Sequence, residues 1–399
     1  MKKYSFLIAV LAMWFSCDSK KSSEIEITQE LNYEFHKIDS ITVKDILARV
    51  FLYQGSQSDQ YVFRDMASSQ VFIFNKDGQL VDQWEKEGDV PGRFGMASSN
   101  FSFGKNGKIV VADIMHGLKV LEMDGEVVQD FRIFQDQVSL GSAISLFDSE
   151  QLIEKNGKEY LLYSLDIIEE YDGKYDRDFL KERKNVLMTD IQTNETKKLI
   201  PFPESSQFLN GNVFYFRDFR PIFHFDQKSN LLYLMFKGEP TLYIYDWADE
   251  TPKLIESIDL ELEGFETHPG FEEGSIELGK INSFEKRPYA SSIINLAQFG
   301  EDLLITYSPS PKDKGAIALV VAGDAPDETK ERLSEEAKMR TVLRKPNGEM
   351  IPVNLPKMYQ NGFMVENGKI VWMKKPDPNI EAEEFTVYWG KLEPVESQD

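Results

Sequence analysis

Six short apolar runs, each entered from a polar turn, constrain this chain more than any other feature in it. They are QYVFRD from Gln60, KIVVAD from Lys108, EYLLYS from Glu159, LLYLMF from Leu231, DLLITY from Asp302 and KIVWMK from Lys369. A compact run without polar alternation is the mark of a strand covered on both faces. Most are followed by a second strand, a turn and a third strand, as in VFIFNKDGQLVDQW, LKVLEMDGEVVQDF, VLMTDIQTNETKKLI, LYIYDWADETPKLIESI and TVLRKPNGEMIPV. The Asp-Gly pair inside the second of these is a hairpin signal. One such sheet cannot bury both faces alone, and the runs start 48 to 72 residues apart. Four-stranded units recurring at this kind of period specify a β-propeller. The expected fold is all-β, a single propeller of six blades of four antiparallel strands, with short helical insertions.

The longer intervals carry the insertions. In the third unit the excess is 167–185, where DRDFLKER reads as a short surface helix. Between the fourth and fifth units GFETHPGFEEGSIELGKINSFEKRPYASS is a long crossing loop. The fifth unit holds PSPKDKGAIALVVAGDAPDETKERLSEEAKMR, read as an extra apolar strand-like piece followed by a helix from about Asp327 to Met339. Projecting from one face, the three would build a rim, and exposed loops on a rigid scaffold are where function tends to sit. Closure is a separate problem, because an open ring exposes strand edges. The last unit supplies three strands, GFMV, KIVWMKK and FTVYWGKLEP, so EFHKIDSITVK from Glu34 is expected to pair with it and lock the ring. The propeller then occupies 31–394, with a short tail at 395–399.

The start of the chain is not part of that fold. Lys2 and Lys3 precede the apolar run FLIAVLAMWF and then Ser16-Cys17, the layout of a secretory signal over residues 1–16. The following DSKKSSE reads as a flexible tether over 17–30. Cys17 is the only cysteine, so no disulfide can form within the chain and stability rests on the core. The 41% hydrophobic content, with 28 Phe, supplies that core. A formal charge of −22 repels nucleic acid and anionic headgroups, and no basic stripe offsets it. No nucleic-acid partner is expected, and no second run is long enough for a membrane helix.

Motifs of known chemistry are scarce. His36, His116, His224 and His268 are scattered, without the spacing of a zinc site, and neither a nucleophile elbow nor a P-loop is present. The acidic stretch YDGKYDRD, Tyr171 to Asp178, offers hard oxygen ligands in an order that does not match a calcium loop. It reads as a solvated insertion, with calcium as the one metal considered; otherwise no cofactor and no metal are expected. The remaining constellation is Arg64-Asp65, Asp113 with His116, and Arg217-Asp218 with Arg220. The first two groups follow the apolar run of successive units, which places them at one end of the ring. Their acidic groups would hold a metal or act as acid and base there, or each Asp would close its own tight turn with an Arg beside it. Tyr61, Phe63, Phe214, Tyr215, Phe216, Phe219 and Phe223 are either a sugar-stacking platform or packing between units.

GDVPGRF, GKNGKIVVAD and LKVLEMDGEVVQDF together resemble the NHL-type propeller repeat, in which a Gly-rich, Phe-containing loop leads into a strand ending in Asp and then an Asp-Gly hairpin. The small residue before Cys17 resembles the lipobox of bacterial lipoproteins, whose cysteine becomes the acylated first residue; an ordinary cleaved signal and an uncleaved anchor are the alternatives. Both features together are similar to the six-bladed propeller lipoproteins of Bacteroidota, many of unknown function. The resemblance implies a lipid-anchored protein of the bacterial cell envelope, facing the periplasm or the cell surface, and attached to the membrane through Cys17 alone. Two function classes follow. One is a non-catalytic lipoprotein whose propeller face binds a protein, peptide or glycan. The other is a metal-dependent hydrolase or lactonase with Asp65, Asp113 and Asp218 at the channel mouth. The absence of a strong catalytic motif favours the first.

Overall fold

The computed structural model describes residues 32–48, 51–65, 68, 70–86, 88, 93, 101–104, 107–113, 117–132, 149–164, 177–275, 287–356, 364–373 and 383–395. The signal peptide, the tether with Cys17, and His116 lie outside these residues, as does most of the considered calcium stretch, 171–176.

Each of the six apolar runs forms the second strand of a four-stranded antiparallel unit. The first unit is β2 (Phe51–Gln57), β3 (Gln60–Asp65), β4 (Val71–Asn75) and β5 (Leu80–Trp84). The second is β6 (Ser102–Phe103), β7 (Ile109–Asp113), β8 (Gly117–Leu121) and β9 (Val127–Arg132). The third is β10 (Glu150–Lys155), β11 (Lys158–Tyr163), β12 (Lys184–Asp190) and β13 (Thr196–Pro201), and the fourth β14 (Pro221–Asp226), β15 (Leu231–Phe236), β16 (Glu239–Asp246) and β17 (Lys253–Asp259). The fifth is β18 (Ser292–Phe299), β19 (Asp302–Ser308), β20 (Arg340–Arg344) and β21 (Met350–Asn354). The sixth joins β22 (Met364–Glu366), β23 (Lys369–Met373) and β24 (Glu384–Val395) to β1 (Asn32–Lys44) from the chain start.

This is an all-β propeller, and the burial of its strands follows their place in the unit. Ile109, Val110 and Val111 of β7 are all buried, as expected of a strand covered on both faces. The outer strands β5 and β17 are exposed along most of their length. Polar side chains of the first strands hook neighbouring units together. Gln151 of β10 both donates to and accepts from the backbone of Phe225 in β14, at 2.8 and 2.9 Å, and buried Gln54 of β2 accepts from the Phe101 N–H at 3.0 Å. A hydrogen-bonded amide at these positions satisfies backbone groups that the gap between sheets would otherwise orphan.

Closure is made by β1. It runs antiparallel to β24 from Asn32↔Val395 to Lys44↔Glu384, with one irregularity near Ile38, and its first residues touch β21 in a two-residue parallel contact. The strand expected from EFHKIDSITVK therefore completes the sixth unit. Glu366 of β22 ties that unit to the first: its carboxylate accepts from the Tyr53 hydroxyl (2.9 Å), the Ser56 N–H (2.8 Å) and hydroxyl (3.2 Å), and the Trp389 indole N–H (3.1 Å).

The second unit has a short first strand, Ser102–Phe103, ahead of β7. The insertion helices expected at 176–183 and from Asp327 are present as α1 (Arg177–Glu182) and α3 (Asp327–Glu336). The apolar piece KGAIALVVA, expected to be strand-like, is instead helix α2 (Lys314–Ala322). Its local signals outweigh its β-branched residues: the Asp313 carboxylate accepts the Ala316 N–H at the start, and Gly323 ends it with φ 82°. A helix satisfies its own backbone, which a strand on an insertion without a sheet edge cannot. Among the described residues, no helix is long and apolar enough to cross a membrane.

Candidate functional site

In these units the second strand ends, and the first strand begins, at the same end of the ring. Asp65 at the end of β3, Asp113 at the end of β7 and Asp218 ahead of β14 therefore share one end, on the first, second and fourth units. The insertions leave from that end too: 164–183 and 309–339 each follow a second strand, and 260–291 leads into a first strand. They also meet one another. Phe179 of α1 packs on Phe219, with ring centroids 6.4 Å apart, in the loop that precedes β14. Val213 of the same loop exchanges backbone hydrogen bonds with Phe271 of the crossing loop, at 2.9 and 2.8 Å. Tyr289, at the end of that crossing loop, donates from its hydroxyl to the Lys330 carbonyl of α3 at 3.3 Å. The described parts of the three insertions, linked through the loop ahead of β14, thus form a rim over the third, fourth and fifth units.

Two glycines permit the closest approaches within it. Gly270 has φ 83°, and a Cβ there would lie 2.7 Å from Asn212 Cβ and 2.9 Å from the Phe214 ring. Gly238, in the β15–β16 turn, would meet Asp218 Cβ at 2.7 Å, and its N–H donates to the Asp218 carbonyl. Any larger side chain would push the Asp218 loop off the sheet.

The named candidates divide between two places. Arg64 and Asp65 are buried in the first unit. The Arg64 guanidinium lies 5.8 Å from the Phe101 ring centroid, and the Ser68 hydroxyl donates to the Asp65 carboxylate at 2.7 Å. Asp65 is tied into its own turn, its N–H donating to the Gln70 carbonyl. Asp113 sits at the last position of β7 opposite Gly117, while its side chain, like His116, lies outside the described part. Arg217, Asp218 and Arg220 stand together on the rim with a residue that sequence reasoning did not name. Arg287 Nη1 is 2.5 Å from Asp218 Oδ2, so Asp218 is paired across 69 residues of sequence. The only local signal was the pair Lys286-Arg287 closing an otherwise acidic loop.

The aromatic set divides as well. Phe63, Phe214, Phe219 and Phe223 are buried and pack between or within units, whereas Tyr61, Tyr215 and Phe216 are only partly covered. Tyr215 meets His268 and Phe271 edge-on at centroid distances of 5.5 and 5.1 Å, and Arg287 lies 4.8 Å over its ring. Arg183 covers Phe219 at 5.2 Å on the other side of the loop. Burial, and then the Arg287 charge, hold the His268 imidazole below the usual histidine range, with Asp218 opposing. Its Nδ1 accepts the Gly270 N–H at 3.0 Å, so the neutral ring carries its proton on Nε2. Among the described residues, no three His, Cys, Asp or Glu side chains form a metal-binding group.

No family model matches the chain. No curated protein matches it. Among solved structures, a DUF4221-family protein from Bacteroides vulgatus superposes with a TM-score of 0.60 at 12% identity, covering 92% of this chain and 100% of that one. A suggested exported protein of Bacteroides fragilis gives 0.49 at 13% identity, over 91% and 99% of the two chains. Virginiamycin B lyase from Staphylococcus aureus gives 0.38 at 10% identity, over 84% and 79%. At these identities the likeness is one of fold, and the two lower scores add nothing about function. The first supports the β-propeller that the strand pairing defines.

Proposed function

We propose that this protein is a non-catalytic lipoprotein of the bacterial cell envelope, anchored through acylated Cys17, and that its rim binds a protein, peptide or glycan partner. The observation that carries the reading is the joining of three insertions into one rim at a single end of a rigid ring, with Arg217, Asp218 and Arg220 within it. β1, which follows the tether, starts at the outer edge of the ring beside β21, and the 14 residues of the 17–30 tether span up to about 50 Å when extended. The hydrolase or lactonase reading has less support, because the Asp65 and Asp218 carboxylates are engaged by a turn hydroxyl and by Arg287. Arg64, Asp113 and His116 remain candidate ligand-facing residues at the same end.

The test has two arms. Cys17→Ala should abolish labelled-palmitate incorporation and release the protein from the membrane fraction; a variant that stays bound and acylated removes the anchor. The detergent-purified full chain, probed on an array of envelope glycans and peptides, should show binding that is lost when 312–338 is replaced by a short Gly-Ser linker. Chelator-sensitive lactone hydrolysis by the same preparation would make the enzyme reading the correct one.

A further inference from the structure

We infer that Arg217, Arg287 and Tyr215 form a receptor for the carboxylate of a sugar acid, with the sugar ring lying against the partly exposed aromatic side chains beside them. The inference deepens the rim-binding reading and rests on it.

The first observation is a local reversal of charge. The chain carries a formal −22, yet among the described residues of the rim Arg217 and Arg287 both stand in the field of the Asp218 carboxylate, with Arg220 beside them. Gathering like charges in a half-buried place is unfavourable unless an anion relieves them. Asp218 is committed to Arg287. Among the described residues Arg217 has no hydrogen bond and no ion pair, only the field of Asp218, Arg287 and Arg220 around it. A guanidinium is a rigid planar fork of donors that matches a carboxylate in two parallel hydrogen bonds. Arg217 is therefore a partly desolvated donor fork with no partner among the described residues.

The second observation is the aromatic surface. Phe214 and Phe219 are 1% and 0% exposed and belong to the core, but Tyr215, His268 and Phe271 between them remain partly open. They are held in place before any ligand arrives, by the Val213–Phe271 backbone bridge, by the Gly270 N–H on His268 Nδ1 and by Arg287 over the Tyr215 ring. Preorganisation of this kind removes part of the entropic cost of binding. The Nε2–H of neutral His268 adds a donor for a hydroxyl group. Partly open aromatic rings beside an imidazole N–H donor and a guanidinium fork match a sugar that carries a carboxylate. The strongly acidic remainder of the surface disfavours a polyanion and admits a ligand with one or a few charges.

The probes are a disaccharide containing one glucuronate, its methyl ester, sodium sulfate, and a blocked dipeptide with a free C-terminal carboxylate, each titrated into the detergent-purified full chain. The glucuronate disaccharide should bind saturably and raise the melting temperature, and the ester, which keeps the ring and loses the charge, should bind at least about tenfold more weakly. Arg217→Gln should lose the same affinity while its ligand-free melting temperature stays level or rises, because it removes a desolvated charge that no protein group uses. Arg287→Gln should also lose binding, with a lower melting temperature from the broken Asp218 pair. Equal binding of the ester, wild-type affinity in Arg217→Gln, or a clear loss of ligand-free stability in that variant overturns the inference. Tighter binding of sulfate or of the dipeptide than of the glucuronate overturns the sugar assignment. Array hits that survive Arg217→Gln but vanish on replacing 312–338 would sink this inference and leave the rim reading standing.

Discussion

The seam between the sixth and first units and the rim over the third to fifth both draw charge out of water, and they resolve it in opposite ways. At the seam, the Glu366 carboxylate is met by the Tyr53 and Ser56 hydroxyls, the Ser56 N–H and the Trp389 indole, all neutral donors. Its hydrogen-bonding capacity is used up, and burial together with the Glu366 charge keeps the Tyr53 phenol protonated by raising its pKa. On the rim, Arg287 is paired with the Asp218 carboxylate while Arg217, in the field of both, has no hydrogen bond or ion pair among the described residues. A charge fully satisfied by fixed neutral dipoles serves the architecture, whereas a surplus of one sign in a half-open place is available to a ligand. The contrast also separates what should happen when each is disturbed.

The largest effect is expected at the seam. Deleting residues 33–42 removes most of β1, strips the partner from β24 and reopens the ring, and should lower the melting temperature by on the order of 10 °C or leave the protein aggregated. A calorimetric scan that matches wild type would show that β1 does not lock the ring. Glu366→Ala is next: it leaves the Tyr53 hydroxyl and the Trp389 N–H without their acceptor, a loss of about 2–4 kcal/mol. Denaturant melts should register it as a lower midpoint at unchanged slope.

Disturbing the rim should cost less and be reversible. Asp218→Ala breaks the pair with Arg287 and leaves the guanidiniums facing one another, a loss of about 1–3 kcal/mol given that Arg287 keeps some contact with water. Adding Arg217→Gln should restore part of that loss, a coupling that the same change would not produce with Glu366→Ala. Additive behaviour of Asp218→Ala and Arg217→Gln would mean that the rim charges do not sense each other. The smallest effect is on pH dependence. Burial holds the folded-state pKa of His268 below the unfolded value near 6.5. Below that value the unfolded chain takes up a proton that the folded one resists, so this residue's contribution declines as pH falls from 7.5 to 5.5. His268→Gln should flatten the melting-temperature profile over that window relative to wild type. An identical slope would place the titration elsewhere, with His224, likewise depressed by burial, as the next residue to test.

Much of this architecture was readable along the chain. All six apolar runs are second strands, and the hairpins following them fall where Asn-Gly, Asp-Gly and related turns indicated. The three insertions were located from the intervals between runs, and the N-terminal closing strand from the want of a fourth strand in the last unit. The site was far less legible. Asp218 reads from the sequence as the partner of Arg217 or Arg220 beside it, while the structure adds an ion pair with Arg287 from the crossing loop, which no local pattern announces. Tyr215 stands out among seven aromatics only after burial has removed four of them, and its companions His268 and Phe271 come from the crossing loop, outside any named strand or helix. In KGAIALVVA, hydrophobicity was evident while the capping role of Asp313 was decisive.

What the sequence alone determined here is whatever depends on short-range periodicity: strand, turn, strand, the recurrence of the unit, and the acidic surface. Those follow from residues within a few positions of one another, where backbone sterics and apolar alternation act. Only the tertiary structure decided which loops meet and which charges are neutralised, because Coulomb and packing terms depend on distance in space and not along the chain. The Glu366 latch joins residues more than 300 positions apart, and the rim assembles from three insertions whose sequences share no pattern. The ring closes first as a matter of repeating strands; which end carries a binding surface is set afterwards by where those unrelated segments come to rest.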